Sequence, residues 1–126
     1  MAGTPETPIV RMAARTLFPP GSAALLPAAA VLLQQVGVAF QNEPGSVRVI
    51  SATDSQPFRS VQFPSNFQLS AARAQAAETI LAAASGHAAR WSSEGHAAAD
   101  PIASNASTEG REQNRRVDVV LNRPSP

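Results

Sequence analysis

The sequence predicts an α+β or split βαβ domain in which helices cover one side of a small sheet. Three observations carry that expectation. Residues 46–52 and 115–122 alternate apolar and polar side chains, the period of a half-buried strand. Two longer stretches, 26–41 and 66–85, have helical spacing and boundaries. The elements then run strand, helix, strand, helix, strand, loop, strand, an order that places helices against a sheet.

Each element has its own local reason. Residues 9–17 alternate roughly and read as a strand; 18–22, with two prolines and a glycine, are a turn. Residues 26–41 form the first helix, with Pro27 tolerated in its first turn. Leu26, Leu33, Val36 and Phe40 recur on one face of it. That spacing, interrupted by Gln34 and Gln35, argues for an amphipathic helix over a signal peptide or a membrane span, which needs about 20 apolar residues. Asn42 to Gly45 stop the helix, 46–52 are a strand and 53–65 a loop. Residues 66–85 form the second helix, ended by Gly86. A strand is expected at 89–93 around a core Trp91, then an irregular stretch over 95–109 and a last strand at 115–122. Residues 1–7 read as a disordered leader, 8–122 as one domain and 123–126 as a disordered tail.

Composition narrows the function. A chain of 126 residues buries roughly two-thirds of its unfolded surface, enough for one core. Ten basic residues, all Arg, face nine acidic ones, a net charge of +1. That balance excludes a nucleic-acid binder resting on a concentrated basic face. There is no Cys, hence no disulfide, thiolate metal site or Cys nucleophile. His87 and His96 are the only histidines and have no nearby Cys, which argues against a metal site, and Ser70 has no catalytic partners in any motif. No cofactor, metal or enzymatic activity is expected.

Two segments carry chemistry. Thr53-Asp54-Ser55 follows the strand 46–52, and acidic groups past the carboxyl end of a strand sit where open sheets hold ligands. Asn66 and Arg73, seven residues apart, share one face of the second helix, with Leu69 beside them. Asn66 also suits a helix N-cap. If this strand and helix are neighbours, Asp54 and Arg73 oppose each other around a gap suited to a zwitterion: the carboxylate takes an ammonium, the guanidinium a carboxylate. Arg111, Arg115 and Arg116, interleaved with Glu109, Glu112 and Asp118, suggest local ion pairing.

Over about residues 9–122 the chain resembles the OmpA-like C-terminal family shared by OmpA, Pal and MotB. The resemblance rests on Phe18-Pro19-Pro20-Gly21-Ser22, on Thr53-Asp54, on Asn66-Phe67-Gln68-Leu69-Ser70-Ala71-Ala72-Arg73-Ala74 and on Gly110-Arg111-Glu112-Gln113-Asn114-Arg115-Arg116-Val117. Within the family, residues 56–66 look most like the periplasmic extension of the type VI secretion protein TssL, with MotB-type stator proteins the nearest rival. The resemblance implies a βαβαββ two-layer fold with a small mixed sheet and a non-catalytic grip on peptidoglycan. Asp54 and Arg73 would hold the diaminopimelate of the stem peptide, Asn66, Leu69 and Thr53 would shape the pocket, and Asn114, Arg115 and Arg116 would be structural. It implies a periplasmic domain of a bacterial envelope protein, anchored in the inner membrane through a segment outside these residues. Other envelope-complex subunits would be its partners, with homodimerisation one form.

Three departures define an alternative. Ser51-Ala52 replace the family's Gly-His before Thr-Asp, and Ser55 replaces the Asn after it. A domain whose site has lapsed would act as an assembly module through protein–protein contacts.

Overall fold

A computed structural model of the chain describes residues 2–4, 7–57 and 59–124. In chain order the elements are β1 (Ala2–Gly3), β2 (Pro8–Ala13), α1 (Pro27–Ala39), β3 (Ser46–Ala52), α2 (Asn66–Ser85), β4 (Trp91–Ala97), α3 (Thr108–Asn114) and β5 (Arg116–Asn122). The sheet order is β1-β2-β5-β3-β4. β5 runs antiparallel to both β2 and β3, while β3 and β4 are parallel. β2 and β3 therefore point the same way with β5 inserted between them, the split βαβ arrangement.

α2 packs on β3 and β4, and α1 packs on α2. Period-two alternation sends Val47 and Val49 of β3 and Val117, Val119 and Leu121 of β5 to the helix side, where all five are buried. Leu33 and Leu81 meet them from the helices, as do Leu26, Val36 and Phe40 on the expected face of α1. Gly37 lets the two helices close up: a Cβ there would lie 2.6 Å from the Leu81 carbonyl oxygen. Trp91 is core, edge-on to Phe40 at 5.6 Å, and its indole N–H donates to Ser85 Oγ at 2.9 Å. That bond satisfies the polar atom that burial would otherwise orphan.

The opposite face of the sheet is held by charge. Arg11 grips Asp118 with two hydrogen bonds of 2.9 and 3.1 Å, and Arg116 donates to the same carboxylate at 3.1 Å. Beside it Arg48 donates twice to Glu94.

Several boundaries differ from expectation. The strand expected over 9–17 stops at Ala13, and Ala14–Thr16 turn as a 3-10 helix. Consecutive Leu17 and Phe18 are both buried, which a strand with one covered face cannot achieve. β4 starts two residues later than expected and runs on to Ala97. At the end of the stretch expected to be irregular, α3 begins and runs on to Asn114, capped by Ser107, whose Oγ accepts from the Gly110 N–H. Its seven residues are too few to show periodicity in the sequence. Ala2–Gly3, read as leader, pair with Pro8 and Ile9 at the sheet edge. Met1, Pro5 and Glu6 of that leader, and Ser125 and Pro126 of the tail, lie outside the described residues.

Candidate functional site

At the carboxyl end of β3 the chain opens into a cleft of about 780 Å³. Its polar lining includes Thr53, Asp54, Asn66, Arg73, Arg115 and Arg15, and its apolar lining includes Phe18, Pro19, Pro20, Leu26, Pro57 and Leu69. All five residues expected to form the site therefore meet in one place: Asp54 and Thr53 from the end of β3, Asn66, Leu69 and Arg73 from one face of α2.

Asp54 is buried, yet both its oxygens are used. Oδ1 accepts the Gln56 N–H at 2.9 Å, an Asx-type turn, and Oδ2 accepts from the Arg115 guanidinium. The Thr53 N–H donates to the Ala97 carbonyl at 2.8 Å, which ties the root of the loop to β4. Asn66 Nδ2 donates to the Gln56 carbonyl at 2.9 Å and closes the loop against α2. The N-cap of α2 is Ser65, whose Oγ accepts the Gln68 N–H; Asn66 is the first helical residue, so its side chain is free to reach the loop.

Arg73 is buried too, and it is held by backbone. Nε donates to the Ser22 carbonyl at 2.8 Å and one terminal nitrogen to that of Pro19 at 3.2 Å. The guanidinium carbon lies 5.1 Å from the centre of the Phe18 ring, a cation–π distance. The turn over 18–22 is thus the cradle that aims Arg73. Burial lowers the Arg73 pKa from its ordinary value, and the neighbouring Arg115 cation lowers it further. Three guanidinium groups line the cleft; Asp54 balances Arg115 and Glu112 balances Arg15, while Arg73 is held by carbonyls, so a ligand carboxylate is favoured beside it.

Arg115, expected to be structural, also lines this cleft and is the partner of Asp54. Arg116 points away and pairs with Asp118, and fully buried Asn114 makes four hydrogen bonds to the 102–105 segment. The expected pairing of the three arginines with their chain neighbours holds only for Arg116 with Asp118. Glu112 pairs with Arg15, and Arg111 donates to the Asn105 carbonyl and to Thr108 Oγ1. Successive residues at the start of a strand face opposite ways, and that alternation was the available signal for separating Arg115 from Arg116. Arg15 was not singled out from the sequence; an isolated Arg after a strand gives no cue that it reaches a cleft 39 residues ahead of Asp54.

Fold and site define an α+β domain that presents a carboxylate and three guanidinium groups in one open cleft, without a catalytic constellation among the described residues. The chain belongs to the OmpA family, whose model matches residues 17–115. It is 36% identical over 114 residues to the probable lipoprotein YiaD of Escherichia coli, covering 90% of this chain and 50% of that protein. It is 34% identical over 106 residues to the uncharacterized protein YtxE of Bacillus subtilis, covering 83% of this chain and 44% of that one. The chain thus spans about half the length of these curated relatives. Among solved structures, the cell wall anchor of the type VI secretion system from Pseudomonas aeruginosa superposes with a TM-score of 0.87 at 35% identity, over 94% of this chain and 82% of that one. A MotB-like protein from Desulfovibrio vulgaris superposes at 0.86 with 28% identity, over 94% and 77% of the two chains. No helix among the described residues is long and apolar enough to cross a membrane.

Proposed function

We propose that this domain binds peptidoglycan without catalysis and anchors an envelope complex to the cell wall from the periplasmic side. The convergence of Asp54, Arg73 and Arg115 in one cleft carries the reading. Diaminopimelate presents an ammonium and a carboxylate on one carbon. Asp54 would accept from the ammonium, keeping its bond to Arg115, and the donors of Arg73 and Arg115 not used internally would take the carboxylate. Leu69, Phe18 and the prolines exclude water around the pair, which strengthens both contacts. The similarity to a type VI secretion cell wall anchor supports a secretion complex as the partner.

The three departures do not strip the cleft. Ser51 and Ala52 are buried in β3, and neither they nor Ser55 are among the described lining residues. This favours a working site over the lapsed assembly module.

The test is co-sedimentation with purified diaminopimelate-type peptidoglycan, comparing wild type with Asp54→Asn and Arg73→Lys. Wild type in the pellet and both variants in the supernatant is the expected outcome. A folded wild type that stays in the supernatant overturns the reading in favour of the assembly module.

A further inference from the structure

We infer that Asn105 is a positioning residue for Asp54: across 50 residues of sequence it holds the loop that carries the cleft's carboxylate. This rests on the binding role proposed for the cleft, and extends it to a residue that does not line it.

The Asp54 loop has few fixed points. Thr53 is tied to β4 before it, and Gln56 is tied to Asp54 and Asn66 after it. Between them, the Ser55 N–H donates to Asn105 Oδ1 at 3.2 Å. The carbonyl of the same peptide accepts from Thr53 Oγ1 at 2.9 Å, within the loop itself, so Asn105 is the attachment that ties this peptide to the 102–105 segment.

Asn105 is itself well placed to be an anchor. Its Oδ1 also accepts from Nδ2 of Asn114 at 2.9 Å, and Asn114 is fully buried. Its carbonyl accepts from Arg111 at 3.0 Å. Asn114, Arg111 and the cleft residue Arg115 belong to one short stretch, α3 and its C-cap. The same stretch therefore reaches Asp54 twice: directly, through Arg115 on Oδ2, and indirectly, through Asn114 and Asn105 on the next backbone N–H. Arg115 and the Gln56 N–H orient the carboxylate itself, and Asn105 fixes the backbone from which that side chain departs.

The chemistry gives a selective test. Both side-chain bonds of Asn105 are accepted by Oδ1. An Asp at this position keeps that acceptor, whereas an Ala removes it. Asn105→Ala is expected to weaken peptidoglycan binding about three- to ten-fold, the worth of one or two modest hydrogen bonds. Asn105→Asp is expected to stay within about two-fold of wild type. Amide hydrogen exchange at Ser55 is measured on the same three proteins, free of ligand. Loss of protection in Asn105→Ala and its return in Asn105→Asp support the positioning role even if wild type itself fails to sediment with peptidoglycan, a result that would overturn only the binding reading. Unchanged Ser55 protection in Asn105→Ala overturns the inference. So does wild-type binding by that variant, or an equal loss of binding in both variants.

Discussion

Arg115 donates to Oδ2 of Asp54, so the acidic group of the cleft is already neutralised by a residue 61 positions away in the chain. The Asp54 side chain is 8% exposed and that of Arg115 40% exposed. The pair thus lies between two regimes. Fully exposed pairs contribute little, because water screens them. In fully buried pairs, loss of one partner strands a charge. The proposed ligand ammonium would meet a carboxylate already oriented by the protein, which lowers the ordering cost of binding.

The coupling between these two residues is measurable. In a double-mutant cycle with Asp54→Asn and Arg115→Met, followed by urea denaturation, we expect an interaction energy of about 1–2 kcal/mol. A cycle that closes within about 0.3 kcal/mol would show the contact to be incidental.

Arg73 calls for a different substitution strategy. Its guanidinium holds the carbonyls of Ser22 and Pro19 and stacks on Phe18, so Arg73→Ala removes a structural brace together with the proposed binding group. We expect that variant to lose about 1–3 kcal/mol of stability, since two carbonyls lose a charged donor. Arg73→Lys keeps the charge but not the fork, and should lose ligand binding with a smaller stability loss. Thermal melts run beside co-sedimentation decide it: if Arg73→Ala melts with wild type, the cradle around residues 18–22 carries no load.

Much of this architecture was legible in the sequence, and the misses share a cause. β3 and α2 match their expected limits residue for residue; Gly86, left-handed at φ 77°, ends α2 as expected, while the side-chain cap at its start is Ser65 and not Asn66. Asp54 was singled out because it follows the end of β3, and Arg73 because it shares a face of α2 with Asn66. Arg115 as an ion-pair partner, Arg15 at the rim and Asn105 behind the loop were not. Each acts through a contact spanning 50 or more residues, and local periodicity holds no record of those. The far end of β4 was missed for a related reason: its polar and glycine residues, Ser92 to His96, form a strand only because β3 lies alongside.

The network on the open face of the sheet gives the domain a definite response to pH. Hydrogen bonds from Arg48, then His96, hold the Glu94 carboxyl down at about 2, against an ordinary 4.5. Hydrogen bonding to Glu94, with a further contribution from Asp100, raises His96 above its ordinary 6.5. A depressed carboxyl stabilises the fold above its ordinary value and loses that contribution as pH falls toward 2. A raised histidine stabilises it below 6.5 and loses that contribution as pH rises through the raised value. The two together favour the window between about 4.5 and 6.5. Urea midpoints for wild type and His96→Gln should diverge most in that window and converge above it. Parallel pH profiles for the two proteins would remove His96 from the account.

The seam between α2 and β4 should be the least forgiving part of the fold. Gly95 lies directly under the helix: a Cβ there would come within 2.4 Å of the Ala71 nitrogen and 2.7 Å of Ser70 Oγ. The helix backbone cannot yield without lifting α2 from the sheet, and Ser70 cannot turn away without releasing the Ala97 N–H that it accepts at 3.1 Å. Ala97 sits just past the bulge in β4, at φ 50°, and its carbonyl holds Thr53 at the root of the cleft. One added methyl therefore strains the helix packing and, through Ser70 and Ala97, the loop bearing Asp54. Gly95→Ala is expected to cost about 3 kcal/mol, at the upper end of overpacking, and to weaken ligand binding in the fraction that remains folded. Gly86→Ala is the control, because a Cβ there meets nothing within 4 Å and only the left-handed backbone opposes it. That variant should lose about 1 kcal/mol and bind as wild type does. Denaturation curves for the two variants, with binding measured below their midpoints, separate the packing of the seam from a general intolerance of side chains at glycine positions.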